Sequence, residues 1–249
     1  MIKHVVPSKW DLEVDLVAVG SSAGGLTAAI MAYDLGLSAV VLEKSDVIGG
    51  ATAFSGGAAW IPLSHHMAEV GCQDTRDGVL RYVRGLSMGH HDEALLAAYL
   101  DNAAEMLKYL EEHTPLRMCC EDDGSGTEYL ADMPGGVPLG RKVWPDQKVV
   151  PGIMEAAEKK YPLVGKVAKD PVKYIIGPRA PWVMGRGLIG PLVVGCVERG
   201  VDIITECAGK QLIVDNGRVV GVRALRGGRD FLVKANRGVL LAAGGFEWN

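Results

Sequence analysis

The sequence predicts an α/β protein built on a Rossmann-like parallel sheet with a small antiparallel β-meander. Three observations carry this fold class. A short apolar run, Leu16 to Val19, stops at Gly20 as a buried parallel strand does. An alanine-rich helical pattern then runs from Leu26 to Gly36, and a second apolar run, Ser38 to Leu42, ends on the acidic Glu43. Strand, glycine turn, helix, strand and acid in this order read as a dinucleotide site.

Each element has a physical reason. Gly20, Ser22 and Gly25 occupy the marked positions of G-x-G-x-x-G, with Gly24 just inside the last. Gly20 allows the sharp turn out of the strand, and Gly25 lets the helix lie close to the sheet. The helix N-terminus offers free N–H groups and a positive dipole end to a pyrophosphate. Glu43 follows Gly20 by about 20 residues, where a carboxylate accepts two hydrogen bonds from adjacent ribose hydroxyls and repels a 2'-phosphate, so NADP is disfavoured. Ser22 departs from the pattern: its hydroxyl can meet phosphate, but its Cβ takes up room. The competing reading of the turn alone is an ordinary glycine-rich start to a helix.

Beyond Glu43 come Lys44 and a second glycine-rich stretch, Gly49, Gly50, Ala51, Thr52, Ala53, Phe54, Ser55, Gly56 and Gly57. A minimal NAD domain does not need it. Exposed N–H groups and the Thr52 and Ser55 hydroxyls can line a longer cofactor, from ribityl chain to flavin, so the expected cofactor is FAD. A flexible surface loop is the alternative.

Composition bounds the rest. The chain has 249 residues, 48% hydrophobic and 22% charged, with 33 glycines and a net charge of −4. That balance implies neither nucleic acid nor an anionic membrane as partner. The N-terminal stretch lacks a signal-like apolar core, and no run approaches the ~18 apolar residues of a membrane span, so a cytoplasmic location is expected. Cys72, Cys119, Cys120, Cys196 and Cys207 contain no C-x-x-C, which favours reduced thiols. The doublets His65-His66 and His90-His91 lack carboxylate or cysteine partners at ligand spacing, so no metal centre is expected.

Further along, His65 to Val70 reads as a short helix and Asp74 to Leu86 as a longer one. Asp92 is placed to cap an amphipathic helix whose Leu95, Leu96, Tyr99, Leu100, Ala103, Met106, Leu107 and Leu110 recur at spacings of three and four. Thr114-Pro115 ends it. Leu116 to Cys120 reads as a strand, and Asp122 to about Pro181 as irregular chain, in which lysines 159, 160, 166 and 169 interleave with acids as a solvated face. A helical pattern from Gly187 to near Gly200 and a strand from Val201 to Thr205 follow. Asp215-Asn216-Gly217 is a strong hairpin signal inside Cys207 to Ala224. Phe231 to Ala235 completes the meander, and Gly238 to Ala243 is a last parallel strand ending at Gly244-Gly245.

The runs VGSSAGGLTAA and VLEKSDVIGGATAFSGGAAWIP, with GRGLIGPLV and the terminal KANRGVLLAAGGFEWN, resemble the flavoprotein family of fumarate reductases and 3-oxosteroid 1-dehydrogenases, the steroid branch more closely. Nearly all of the chain is covered. The resemblance implies one incomplete FAD-binding domain over 1–249 with a helical and loop-rich insertion at about 65–186. It places adenine near the backbone of Ala208 and returns Ala243, Gly244 and Gly245 to the cofactor. The histidine that forms a covalent flavin link in succinate dehydrogenases is Ala51 here, so non-covalent FAD is implied. EYLADMPGG resembles the steroid branch's DYYPEAPGG segment, with Tyr129 on its first tyrosine, implied to sit beside the flavin and assist a catalytic base. The second tyrosine and the proline after it are Leu130 and Ala131 here. Family members are about twice this length, which implies that the main tyrosine base, the carbonyl-polarising tyrosine and the flavin-covering segment lie outside these residues. The activity so implied is desaturation of a 3-oxosteroid ring by proton abstraction and hydride transfer to flavin. A fumarate-reductase-like reaction, or an FAD-binding module completed by another polypeptide or a homo-oligomer, stands as the alternative.

Overall fold

The computed structural model describes residues 6–121, 127–168 and 182–245. Strand β1 (Leu12–Val19) leads through helix α1 (Ala23–Asp34) to strand β2 (Ala39–Leu42), parallel to it with Val17 opposite Val40. The one-turn helix α2 (Gly50–Phe54) and strand β3 (Ala59–Trp60) follow, then a 3-10 helix (His65–Val70), helix α3 (Arg76–Ser87) and helix α4 (Glu93–His113). Strands β4 (Met118–Cys119) and β5 (Lys142–Pro145) join β3 in a small antiparallel sheet of order β3-β5-β4. Helix α5 (Val150–Lys160), a second 3-10 helix (Pro162–Lys166) and helix α6 (Met184–Glu198) return the chain to the main sheet. There β6 (Asp202–Ile204), β7 (Cys207–Asp215), β8 (Arg218–Arg226) and β9 (Arg229–Leu241) complete the order β6-β2-β1-β9-β8-β7.

The two faces of the main sheet follow from strand alternation. Ala18 and Val41 point into a core shared with Leu26 and Ile30 of α1, Leu107 and Leu110 of α4, Met154 of α5 and Leu192 and Val193 of α6. Val17, Val40 and Leu42 point to the opposite face, where they meet Val222, Ala224 and Val233 of the antiparallel strands. Helix α1 is apolar nearly all round because it is packed between the sheet and α6; Leu26, Ala29 and Ile30 are fully buried.

Several expectations are corrected. The third meander run and the last parallel strand are one strand: β9 pairs antiparallel with β8 through Arg229–Lys234 and parallel with β1 through Val233–Leu241. The meander is therefore continuous with the parallel sheet. The stretch after Cys120 is not wholly irregular, since α5 lies within it, with Pro151 in its first turn where no N–H is needed. Within Leu116 to Cys120 only Met118 and Cys119 are strand. On α4, Leu100, Ala103, Leu107 and Leu110 are buried as expected, but Leu95 is 72% exposed and Tyr99 41%. Asp92 does cap α4, its Oδ1 accepting from Ala94 N (2.8 Å) and Leu95 N (3.0 Å). Lys169 and the last four residues of the expected C-terminal segment lie outside the described residues. Among the described residues, no helix is long and apolar enough to cross a membrane.

Candidate functional site

The C-terminal ends of β1, β2, β6 and β9 converge on one edge of the main sheet, the edge where open α/β sheets present their crevice. Gly20 leaves β1 with φ +105°, and a Cβ there would sit 2.3 Å from Ala242 O at the end of β9. A Cβ on Gly25 would sit 2.0 Å from Gly20 O, so both expected glycines are required by close backbone approach. Ser22 is the N-cap of α1, yet its hydroxyl makes no cap hydrogen bond and donates to Ala242 O (3.2 Å). The first bond of the helix runs from Leu26 N to Ser22 O (3.0 Å), which leaves the Ala23, Gly24 and Gly25 N–H groups outside the helix's own ladder. An uncapped N-terminus at the sheet's crevice is a place for an anion.

Glu43 lies at the end of β2, 6% exposed. Its Oε2 accepts from Ser21 N (3.1 Å) and Ser21 Oγ (2.5 Å), and its Oε1 from Ser45 N (2.9 Å). Ser21 Oγ in turn accepts from Gly49 N (2.9 Å). One fully buried hydroxyl thus ties the first glycine turn, the acid and the second glycine stretch together. This role of Ser21 was not anticipated from the sequence; its only signal is its place between Gly20 and Ser22. A carboxylate offers about four acceptor positions, and three are already used, so Glu43 keeps room for one further donor rather than two.

The second glycine stretch is a short helix followed by a turn, not a continuous loop. Gly49 caps α2, Lys44, Gly50, Ala51, Ser55 and Gly56 are exposed, and Gly57 is buried against α6. Ser55 Oγ donates to Thr52 O (2.8 Å) and accepts from Gly57 N (3.0 Å), so this hydroxyl shapes the turn. Ala208 follows Cys207 at the start of β7, and Cys207 N donates to the Glu43 backbone O (2.8 Å). Ala243, Gly244 and Gly245 are exposed just beyond β9, on the same edge.

Tyr129 lies beside the small sheet. It is 86% exposed and sits under Lys142 Nζ at 4.3 Å. Its loop is held at both ends by buried side chains. Glu128 accepts from Trp60 Nε1 (3.1 Å) and Tyr82 OH (3.1 Å). Arg141 pairs with Asp74 (2.7 Å) and donates to Gly135 O (2.5 Å), and the pair has side-chain exposures of 0% and 2%. Burial, then the Glu128 charge, pushes the Tyr82 phenol up. The connection to the glycine stretches runs through β5, which carries Lys142, and its partner β3, just after Gly57.

The His65-His66 doublet does find carboxylate partners, Glu69 and Glu111, contrary to expectation, because the fold brings α4 back over the first 3-10 helix. His91 contacts Ser87 and Glu93.

Comparison with known proteins places this geometry. The chain is 35% identical over 272 residues to a 3-oxosteroid 1-dehydrogenase of Mycolicibacterium smegmatis, an alignment covering 95% of this chain and 48% of the relative. It is 34% identical to a 4-oxocyclohexanecarboxylate 2-dehydrogenase of Sinomonas cyclohexanicum, covering 94% and 44%. The crystal structure of a 3-ketosteroid delta1-dehydrogenase from Sterolibacterium denitrificans superposes with a TM-score of 0.75 at 30% identity, over 94% of this chain and 48% of that one. The chain therefore spans about half the length of the relatives it matches. Residues 15–248 match the FAD binding domain profile, so the chain belongs to that flavoprotein family and FAD is its cofactor.

Proposed function

We propose that this chain supplies the FAD site of a dehydrogenase that desaturates an oxo-substituted ring, a 3-oxosteroid being the first candidate. The observation that carries the cofactor half is the Ser21 junction: one buried hydroxyl, next to the uncapped N-terminus of α1, bonds both the Glu43 carboxylate and the second glycine turn. The Ala23, Gly24 and Gly25 N–H groups take the pyrophosphate, and the remaining acceptor position of Glu43 takes one ribose hydroxyl. The backbone at Ala208 meets the adenine, and Lys44, the α2 turn and Ala243 to Gly245 line the rest. Ala51 carries only an unreactive methyl group where a covalent link would need a nucleophile, so the cofactor is held non-covalently. When bound, the flavin accepts a hydride at N5.

Support for the substrate half comes from the names of the two relatives, both of which describe dehydrogenation of a ring that carries an oxo group. A ring ketone acidifies its neighbouring carbon, so such a reaction needs a base and a carbonyl-polarising donor. Tyr129, solvent-exposed on its braced loop, serves as an assisting phenol once the remainder of a substrate pocket closes over it. That remainder corresponds to the other half of the relatives' length. An apolar groove of about 450 Å³ between α1 and α4, lined by Ala23, Thr27, Met31, Ile61, Leu107 and Leu188, is the surface it would cover.

Titrating the purified chain with FAD and following flavin fluorescence tests the cofactor half. Saturable binding is expected, and Glu43→Gln should weaken it at least tenfold; unchanged affinity in that variant would remove Glu43 from the site. Dye-coupled oxidation of a 3-oxosteroid by the chain together with a completing polypeptide tests the substrate half, and turnover of fumarate instead would overturn it.

A further inference from the structure

We propose that His65, His66 and Glu111 form a binding site for one divalent transition-metal ion of the zinc class, pinning the first 3-10 helix to α4 and β4. The donor atoms are already gathered. Glu111 Oε2 lies 3.0 Å from His65 Nε2 and 3.0 Å from His66 Nε2, and the ligand atoms of the three residues all fall within 4.8 Å of one another. Tetrahedral zinc with metal–ligand distances of about 2.0–2.1 Å separates its donors by roughly 3.3 Å, so two of the three edges are close to size. His65, with its side chain 48% exposed, can swing to close the third.

The surroundings are those of a ligand set. Behind His66, whose side chain is 7% exposed, Nδ1 meets Glu69 Oε1 at 2.6 Å, the carboxylate–histidine arrangement that orients a metal-bound imidazole. The other oxygen of Glu111 accepts from Met118 N (2.7 Å), and the other oxygen of Glu69 from Cys120 N (3.0 Å), so both acids are fixed by β4 and the residue after it. A cation between His66 Nε2 and Glu111 Oε2 leaves the Nδ1 side of the ring to Glu69. Two nitrogens and one oxygen, with water as fourth ligand, suit zinc better than magnesium or calcium. None of the three ligands belongs to the glycine turns, and the site does not depend on FAD.

The chain, freed of metal by chelator, is titrated with Zn²⁺ against a chromophoric chelator and separately with Co²⁺. One ion per chain, ligand-field bands of low-symmetry tetrahedral cobalt, and a melting temperature that rises with Zn²⁺ are expected. His65→Asn should abolish the cobalt bands while leaving the metal-free melting temperature unchanged. Glu69→Gln, which removes no ligand, should weaken Zn²⁺ binding about 10–100-fold. Failure to bind either ion stoichiometrically overturns the proposal. Equal binding by wild type, His65→Asn and Glu69→Gln also overturns it, since the ion would then be held elsewhere.

Discussion

At the scale of single residues, adjacent glycines separate what the backbone needs from what a ligand needs. A Cβ at Gly25 would lie 2.0 Å from Gly20 O, a collision with main chain that no rotamer relieves. Gly25→Ala is expected to cost about 3 kcal/mol and to abolish FAD binding with the fold's first turn. At Gly24 a Cβ meets nothing within 4 Å, and the N–H survives the substitution. Gly24→Ala should therefore stabilise the chain by about 0.5 kcal/mol while FAD affinity is kept. Denaturant midpoints and FAD titrations of the two variants check both halves of the contrast. The same scale shows how burial changes an ion pair's weight. Asp74 and Arg141 are almost wholly enclosed, with Arg141 packed over the Tyr82 ring at 4.6 Å. Asp74→Ala leaves a buried guanidinium unpaired, and a loss of about 3–5 kcal/mol is expected from chemical unfolding. Nothing in the sequence singles out Arg141 or Ser21, because each acts through partners far away in the chain. Gly20, Gly25 and Glu43 were legible because their spacing is local.

Among the elements, those with local signals were readable: α4 from its cap and apolar spacing, the β7–β8 hairpin from Asn-Gly, where Asn216 and Gly217 take φ +47° and +81°. Helix α5 was hidden by Pro151-Gly152, which resemble a turn, although Met154 and Ala157 fall on one buried face. The short strands β3 and β4 carry no periodicity at two residues each; pairing with β5 alone creates them. Between α3 and α4 an exposed contact makes a pH prediction. Arg84, then His91, holds Glu93 down from 4.5 to about 2 through hydrogen bonds of 2.7 and 2.9 Å. A depressed carboxylate adds stability above its unfolded pKa and loses it as pH falls toward the folded value. The difference in melting temperature between wild type and Glu93→Gln should thus be largest above about pH 4.5 and vanish near pH 2. High salt should shrink it too, as for any exposed pair.

For the whole molecule, the question is whether the parallel and antiparallel halves of the six-stranded sheet are one cooperative unit. They were read from sequence as separate pieces, because the boundary between meander and last strand was drawn at Asn236-Arg237, where the chain in fact bulges and continues. The ladders overlap on β9 only at Val233 and Lys234, each of which faces β1 on one side and β8 on the other. Hydrogen bonding alone would make that a weak joint. Packing strengthens it: Val14, Val17, Val40 and Leu42 of the parallel half share one apolar cluster with Val222, Ala224 and Val233. Glu43 also holds Cys207 at the root of β7 through its backbone carbonyl. A shared core and two ladders that overlap at two residues argue for joint opening. Native-state hydrogen exchange should therefore give β1 and β8 amides the same opening free energy. Val233→Pro, which removes an N–H and forces a ring into mid-sheet, should lower protection in both strands together, by about 3 kcal/mol or more. Loss of protection confined to β7 and β8, with β1 and β2 unchanged, would mean that the meander is an independent appendage and that the apolar cluster does not couple it to the cofactor edge.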